Sequence, residues 1–274
     1  MPMNNPRLLA YVAAAALAIT TGGCETVKTT NAGAVGVDRK QQMLVPTDTI
    51  NQGAVQAYEA ELKAARDKGV LNTDKAQLAR VTTIAKRIVS ATPVFRPDAA
   101  AWNWQFNVQK TKELNAYCMP GGRIMVYSGL IESLDLSDAE LATVLAHEIA
   151  HALREHTRER VSRAYAQQLV LSGAAAVTGV GEGVANIANM IGEVTFQLPF
   201  SREQESEADT IGLELMARAG YDPRAAVTLW NKMSSAASGG GTPKFLSTHP
   251  EPKERIKDIQ KKLPRVLPLY TQKG

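Results

Sequence analysis

The chain has 274 residues, 45% of them hydrophobic, and a formal charge of +4 from 31 basic and 27 acidic side chains. That length holds one domain of moderate size or two small ones, with ample chain for a core. The scattered basic residues lack the aromatic-plus-basic surface of a nucleic-acid binder, and two cysteines, Cys24 and Cys118, are too few for a disulfide framework.

Residues 1–23 read as a secretory signal, with Arg7 in a thin positive start and an Ala-rich apolar run from Leu8 to Ile19 that is too short for a comfortable span. The run ends in Thr21-Gly22-Gly23-Cys24, which resembles a bacterial lipoprotein cleavage site, although Thr21 stands where an aliphatic residue is usual. Lipid on Cys24 would anchor the chain on the periplasmic side, and Glu25 after it points, in enteric-type sorting, to the outer membrane. Residues 24–47 are small and polar and are expected to form a flexible tether; 48–266 form the folded domain and 267–274 a tail. Cys118 is left as a lone buried thiol.

Helical spacing of Ala54, Tyr58, Leu62 and Ala65 predicts a first helix over Thr49–Lys68, stopped by Gly69, and a second runs from Asp74 to Ser90. Alternation over Trp102–Val108 predicts a strand, and Leu114–Tyr127 a hairpin turning at Pro120-Gly121-Gly122. The hairpin's edge could take an extended peptide by strand addition. After a short helix at Ser128–Leu134, Ser137 and Glu140 form a capping box that opens a long helix to about Thr157. Its end, with Arg154, Arg158, Arg160 and Arg163 interleaved with Glu155 and Glu159, reads as a solvated, ion-paired face. Residues 161–194 are rich in Ala and Gly but interrupted by Glu182 and Asn186, so a packed helix pair or a flap is expected rather than a membrane span. A helix follows from Ser201 to Gly220, another from Asp222-Pro223, and a last amphipathic one after Thr248-His249-Pro250. The class is α+β, mainly α-helical, with a small sheet beside the Ser137 helix.

That helix carries His147-Glu148-Ile149-Ala150-His151 among apolar neighbours Leu141, Val144 and Leu145. Two histidines four apart lie about 40° apart around a helix, so both rings point the same way. Buried imidazoles need partners, and two neutral rings with an adjacent carboxylate suit a zinc ion and a base acting on its water. A third ligand is required. His156 lies about 180° round from His147 and is expected to face away, in a structural or surface position. The layout in which a glycine and then a third histidine follow the pair fails here, because Arg154 and Thr157 occupy those two positions. Nor does a glutamate stand about twenty residues on, where Leu171 and Ser172 occur. The acidic cluster at 203–209 is the better source: Glu205 and Asp209 share a face, so Glu205 is expected to bind the metal and Asp209 to orient a ligating imidazole. Glu203 and Glu207 are expected to be helix-surface acids.

These segments, together with Asn115-Ala116, Pro120–Ile124, Tyr127–Leu130, Ser247–Pro250 and Arg255-Ile256, resemble the HtpX/CAAX-protease-type zinc metallopeptidases, and among them the periplasmic lipoprotein members. The resemblance covers roughly residues 75–263. It implies a zincin-like peptidase domain with one Zn2+, His147, His151 and Glu205 as ligands, Glu148 as catalytic base and Asp209 behind the ligands. It also implies that His249 lies near the metal, as an oxyanion donor or a fourth ligand. The implied function is proteolytic quality control of misfolded or unassembled envelope proteins, in contact with outer-membrane assembly machinery. A chaperone or assembly factor with a mostly closed zinc site is the alternative.

Overall fold

The computed structural model describes residues 25–172, 183–238, 243–250 and 252–271; the signal segment, Cys24 and residues 173–182 lie outside the described residues. Strands β1 (Glu25–Val27) and β2 (Gln41–Met43) pair antiparallel, and helices α1 (Thr47–Asp67) and α2 (Lys75–Val89) follow. Next come β3 (Gln105–Gln109), β4 (Ala116–Met119) and β5 (Arg123–Tyr127), ordered β3-β5-β4, with β3 parallel and β4 antiparallel to β5. The remaining helices are α3 (Ser128–Ser133), α4 (Asp138–Leu153), α5 (His156–Ser172), α6 (Gly183–Phe196), α7 (Arg202–Arg218), α8 (Ala225–Ser238), α9 (Lys244–Thr248) and α10 (Pro252–Thr271). The fold is mainly helical with small sheets, as the sequence predicts.

Helix α4 is the axis of the molecule. Ser137 Oγ accepts from the Glu140 N–H at 3.3 Å and the Glu140 carboxylate accepts from Ser137 N–H at 2.9 Å, so the predicted capping box starts it. Every residue from Glu140 to Leu153 is buried. It packs against α2, α7, α8 and β4, and the main core gathers there around Leu141, Leu145, Ile149, Ile211 and Leu215. At the crossing with α7 the residue is Gly212, where a Cβ would stand 3.2 Å from the His147 backbone nitrogen. The absent side chain lets the two helices come this close. A second cluster, with Tyr58, Leu62, Met125 and Ile191, fills the space between α1, the sheet and α6. The hairpin turns where expected, with Gly121 and Gly122 at φ +77° and +86°.

Four expectations are corrected. The long helix does not reach Thr157: it stops at Leu153, Glu155 takes φ +51°, and α5 starts afresh at His156. Arg154, Arg158 and Arg160 are buried, leaving Arg163 as the solvated member of the run. The expected tether from Glu25 onward is packed, with Val35, Gln41 and Met43 buried and Val35 N–H donating to the buried Glu214 at 3.0 Å. The expected tail is helical as far as Thr271. Among the described residues no helix is long and apolar enough to cross a membrane.

Candidate metal centre

Helix α4 brings His147 and His151 onto one face, and α7 lays Glu205 and Asp209 across it. Nε2 of His147 and Nε2 of His151 are 3.0 Å apart; Glu205 Oε1 is 3.3 Å from the second and Oε2 is 3.6 Å from the first. Ligand atoms about 2.1 Å from a tetrahedral zinc stand about 3.4 Å from one another, which is the spacing found. His249, at the end of α9, completes a group whose four ligand atoms all lie within 4.8 Å of one another.

The groups behind these atoms fix which way they face. Asp209 Oδ1 lies 3.1 Å from His147 Nδ1, and its carboxylate accepts two bonds from Arg255. Nδ1 of His151 meets Nδ1 of His156 at 2.8 Å. His249 Nδ1 sits 3.1 Å from the Phe245 carbonyl oxygen and 2.9 Å from Thr248 Oγ1, and the Thr248 hydroxyl donates to that same carbonyl. The Asp209 carboxylate and the Phe245 carbonyl place the proton of His147 and of His249 on Nδ1, an assignment made from the partners, so these two rings turn a bare Nε2 inward. Two imidazole nitrogens 3.0 Å apart with a carboxylate oxygen 3.3 Å from one of them form a donor set that fits a metal. The buried polar atoms agree: His249 Nε2, Glu148 Oε1 and both Glu205 oxygens have no hydrogen-bond partner. Arg255 Nη1 comes within 2.5 Å of Glu205 Oε2, but off the hydrogen-bond direction, so it does not satisfy that oxygen.

Burial dominates the titration of the site. It pushes the His147 imidazole down to about 4, helped by the Arg255 charge and opposed by Asp209. His151 and His249 are held well below their ordinary values by burial and by the neighbouring His147. All three rings are therefore neutral near pH 7, the form that binds zinc. Burial pushes Glu205 up to about 8 against the pull of Arg255, and pushes Glu148 well up, with the Glu205 charge adding to it. Asp209 goes the other way: burial opposes ionisation, but Arg255 overrides it and keeps the carboxyl charged.

The structure brings together the residues singled out in the sequence: His147, Glu148, His151, Glu205, Asp209 and His249. It corrects two readings. Glu207 is no surface acid; it is buried and accepts from Arg39, Arg154 and His156. His156 is buried against His151 instead of facing away, because the break at Glu155 resets the helical rotation. Glu203 is exposed, as expected. Arg255 was missed as a site residue; it lies over the Trp230 ring at 3.6 Å and no spacing rule distinguishes it from other helix arginines. A cavity of about 240 Å3 reaches Glu205, Asp209 and Arg255. A larger one, about 640 Å3, runs between β1, β2 and Arg158 and touches none of the metal-facing atoms.

Residues 75–263 match the sequence pattern of peptidase family M48. The chain belongs to that family. It is 26% identical to the metalloprotease YcaL of Escherichia coli over 274 residues, covering 95% of this chain and 98% of that one. The mitochondrial metalloendopeptidase OMA1 of Schizosaccharomyces pombe is 36% identical over 67% of this chain and 52% of its own length. The β-barrel assembly-enhancing protease of Escherichia coli is 28% identical over 70% of this chain and 40% of its own. The chain thus spans about half the length of the mitochondrial relative and nearly the full length of YcaL. A single zinc is the metal that an M48 chain with two histidines and a glutamate would hold here.

Proposed function

We propose that this M48 chain is a zinc-dependent endopeptidase of the bacterial envelope that removes misfolded or unassembled proteins. The observation that carries the chemistry is Glu148: a buried carboxyl beside the ligand His147, with Oε1 lacking any hydrogen-bond partner and its pKa pushed well up by burial. Zinc in such a site polarises the scissile carbonyl and makes its water a better nucleophile near neutral pH. His147, His151 and Glu205 would hold the ion. Glu148 takes the proton of the attacking water and delivers it to the leaving amine nitrogen. Asp209 and Arg255 keep His147 turned to the metal.

His249 is read here as a fourth ligand that closes the site, because its Nδ1 is engaged and its free Nε2 offers a lone pair where an oxyanion would need a donor. Its Nε2 is 3.4 Å from Glu148 Oε1, and His147, Glu148, His151, Glu205 and His249 are each 2% exposed. That enclosure also favours the second reading, an assembly factor that binds unfolded clients with the site shut. The place of action is proposed from the lipidation-like Cys24 and from the name of the β-barrel assembly-enhancing relative; with it come the finer kinship to lipoprotein members of the HtpX/CAAX type and contact with outer-membrane assembly machinery.

The test is digestion of a denatured outer-membrane protein by wild type, Glu148→Gln and His249→Ala, with zinc content measured alongside. Glu148→Gln should keep its zinc and lose activity by roughly 100-fold or more; native activity in that variant would refute the mechanism. A more active His249→Ala supports closure, and an unchanged rate removes it. Wild type that binds the client with full zinc and never cuts it leaves the assembly reading.

A further inference from the structure

The two histidine ligands are steadied differently. His147 has a carboxylate, Asp209, directly behind its Nδ1, whereas His151 has another imidazole there. Because α4 ends at Leu153 and Glu155 turns the chain at φ +51°, the first residue of α5 is folded back beneath His151. The His151 and His156 rings lie 4.8 Å apart at 72°, both fully inside the protein. Nδ1 of His156 meets Nδ1 of His151 at 2.8 Å, and Nε2 of His156 meets Glu207 Oε2 at 3.0 Å.

We propose that His156 is a positioning residue for the metal ligand His151, passing the orientation set by Glu207 through its ring to His151 Nε2. Each of the two contacts holds one proton, and Glu207 decides where both go. Both oxygens of its carboxylate take donors from Arg154 and Arg39, so toward His156 it accepts. His156 Nε2 must then carry a hydrogen. The 2.8 Å contact between the two Nδ1 atoms has room for one proton, and a His151 that turns its Nε2 lone pair to the metal keeps that proton on its own Nδ1, which leaves His156 Nδ1 as the acceptor. His151 Nδ1 therefore donates, and its Nε2 is bare toward His147 and Glu205. With the relay reversed, His151 would turn an N–H to the metal position and could not bind. A ligand with its far nitrogen engaged in this way is fixed in tautomer and in ring angle.

The inference rests on the zinc reading of the site, so the test is made in Glu148→Gln protein, where turnover plays no part. Zinc affinity is measured by chelator competition, and the cobalt-substituted protein by its visible absorption. His156→Phe removes the acceptor for His151 and should weaken zinc about 10–100-fold and shift the cobalt bands. His156→Asn leaves a carbonyl oxygen near the lost Nδ1 and should recover most of both. A folded His156→Phe with parental zinc affinity and unmoved bands overturns the proposal. Should that variant not fold, long-range 1H–15N correlations of zinc-loaded wild type decide instead. Protons on His151 Nδ1 and His156 Nε2 support it; a proton on His156 Nδ1 overturns it. A Glu148→Gln parent that takes up no zinc refutes the metal reading and this inference with it.

Discussion

Glu205 and Glu207 stand two residues apart on α7, both buried, in opposite electrical surroundings. Glu205 faces three neutral imidazoles and one arginine, Arg255, has no well-directed partner on either oxygen, and is pushed up to about 8 by burial against the pull of Arg255. Glu207 faces Arg39, Arg154 and His156, and those donors override its burial and bring it down to about 2. Residues two apart on a helix look in different directions, and here one direction is a hole shaped for a cation while the other is already filled with cations. An acid whose oxygens take well-directed donors from resident arginines supports the fold; an acid whose oxygens take none, with Arg255 Nη1 close to it but off the hydrogen-bond direction, supports a function. The contrast extends outward. Behind the site, Glu159 accepts from Arg39, Gln41 and Gln204, and Arg154 donates to Thr29 and Thr30, so the supporting lattice closes on the segment that follows Glu25.

The comparison breaks most visibly by deleting the supporting acid. Glu207→Ala leaves the buried Arg154 and His156 and the half-buried Arg39 without their common acceptor, and removal of one partner from such a cluster costs about 3–5 kcal/mol. Thermal unfolding should show that loss in metal-free protein. Glu205→Gln should behave inversely: an uncharged amide replaces a carboxylate that burial disfavours, so the metal-free midpoint stays or rises while zinc uptake is lost. Equal destabilisation by the two changes would refute the division. Glu159 tests the same lattice through pH. Burial raises its pKa, but the bonds from Arg39 and Gln204 bring it down from the ordinary 4.5 to about 2. A carboxyl depressed in the fold contributes stability that is complete above pH 4.5 and is lost as the pH falls toward 2. Glu159→Gln should therefore flatten the acid limb of the stability curve in that window and leave its slope above about pH 5 unchanged.

Between the two acids in effect comes the crossing that carries both. A methyl at Gly212 would meet backbone atoms of α4, at 3.2 Å from His147 N and 3.3 Å from Ala146 C, and these cannot swing aside. Gly212→Ala should push α7 outward, costing about 1–3 kcal/mol in unfolding. Because Glu205 and Asp209 ride on α7, zinc affinity should fall with it. A variant with native stability and native affinity would show that the crossing has slack.

What was legible in the sequence was what short spacing governs. Four-residue intervals placed His147 with His151 and Glu205 with Asp209, and the Ser137 box placed the start of α4. What was hidden depends on partners far along the chain. Nothing at Leu153-Arg154-Glu155-His156 announces a break, since no Gly or Pro stands there. The left-handed Glu155 is held instead by ion pairs to Arg96 at 2.5 Å and Arg158 at 2.9 Å. Counting rotation through that break is what turned His156 the wrong way. Likewise the arginine run has the look of a solvated face, because its charges alternate. Its burial comes from residues 29–45, which reach Arg154, Arg158 and Glu159 from more than a hundred positions away.

The smallest effects should come from the two helix caps, and they sharpen the contrast between scaffold and site. Ser137 and Ser201 each begin a capping box, on α4 and α7 respectively. Replacing either by Ala should cost about 1 kcal/mol, a midpoint shift of about 2–4 °C in a chain of this size. Their positions relative to the metal differ. His147 lies almost three turns into α4, beyond the reach of a frayed end, whereas Glu205 N–H closes the first turn of α7 onto the Ser201 carbonyl at 3.0 Å. Loosening that turn lets Glu205 move; loosening the other leaves His147 in place. Zinc affinity should therefore weaken in Ser201→Ala and hold in Ser137→Ala, at matched loss of stability. Equal affinities in the two variants would mean that Glu205 is fixed by its burial under Arg255 and the histidines, and that the cap belongs to the scaffold alone.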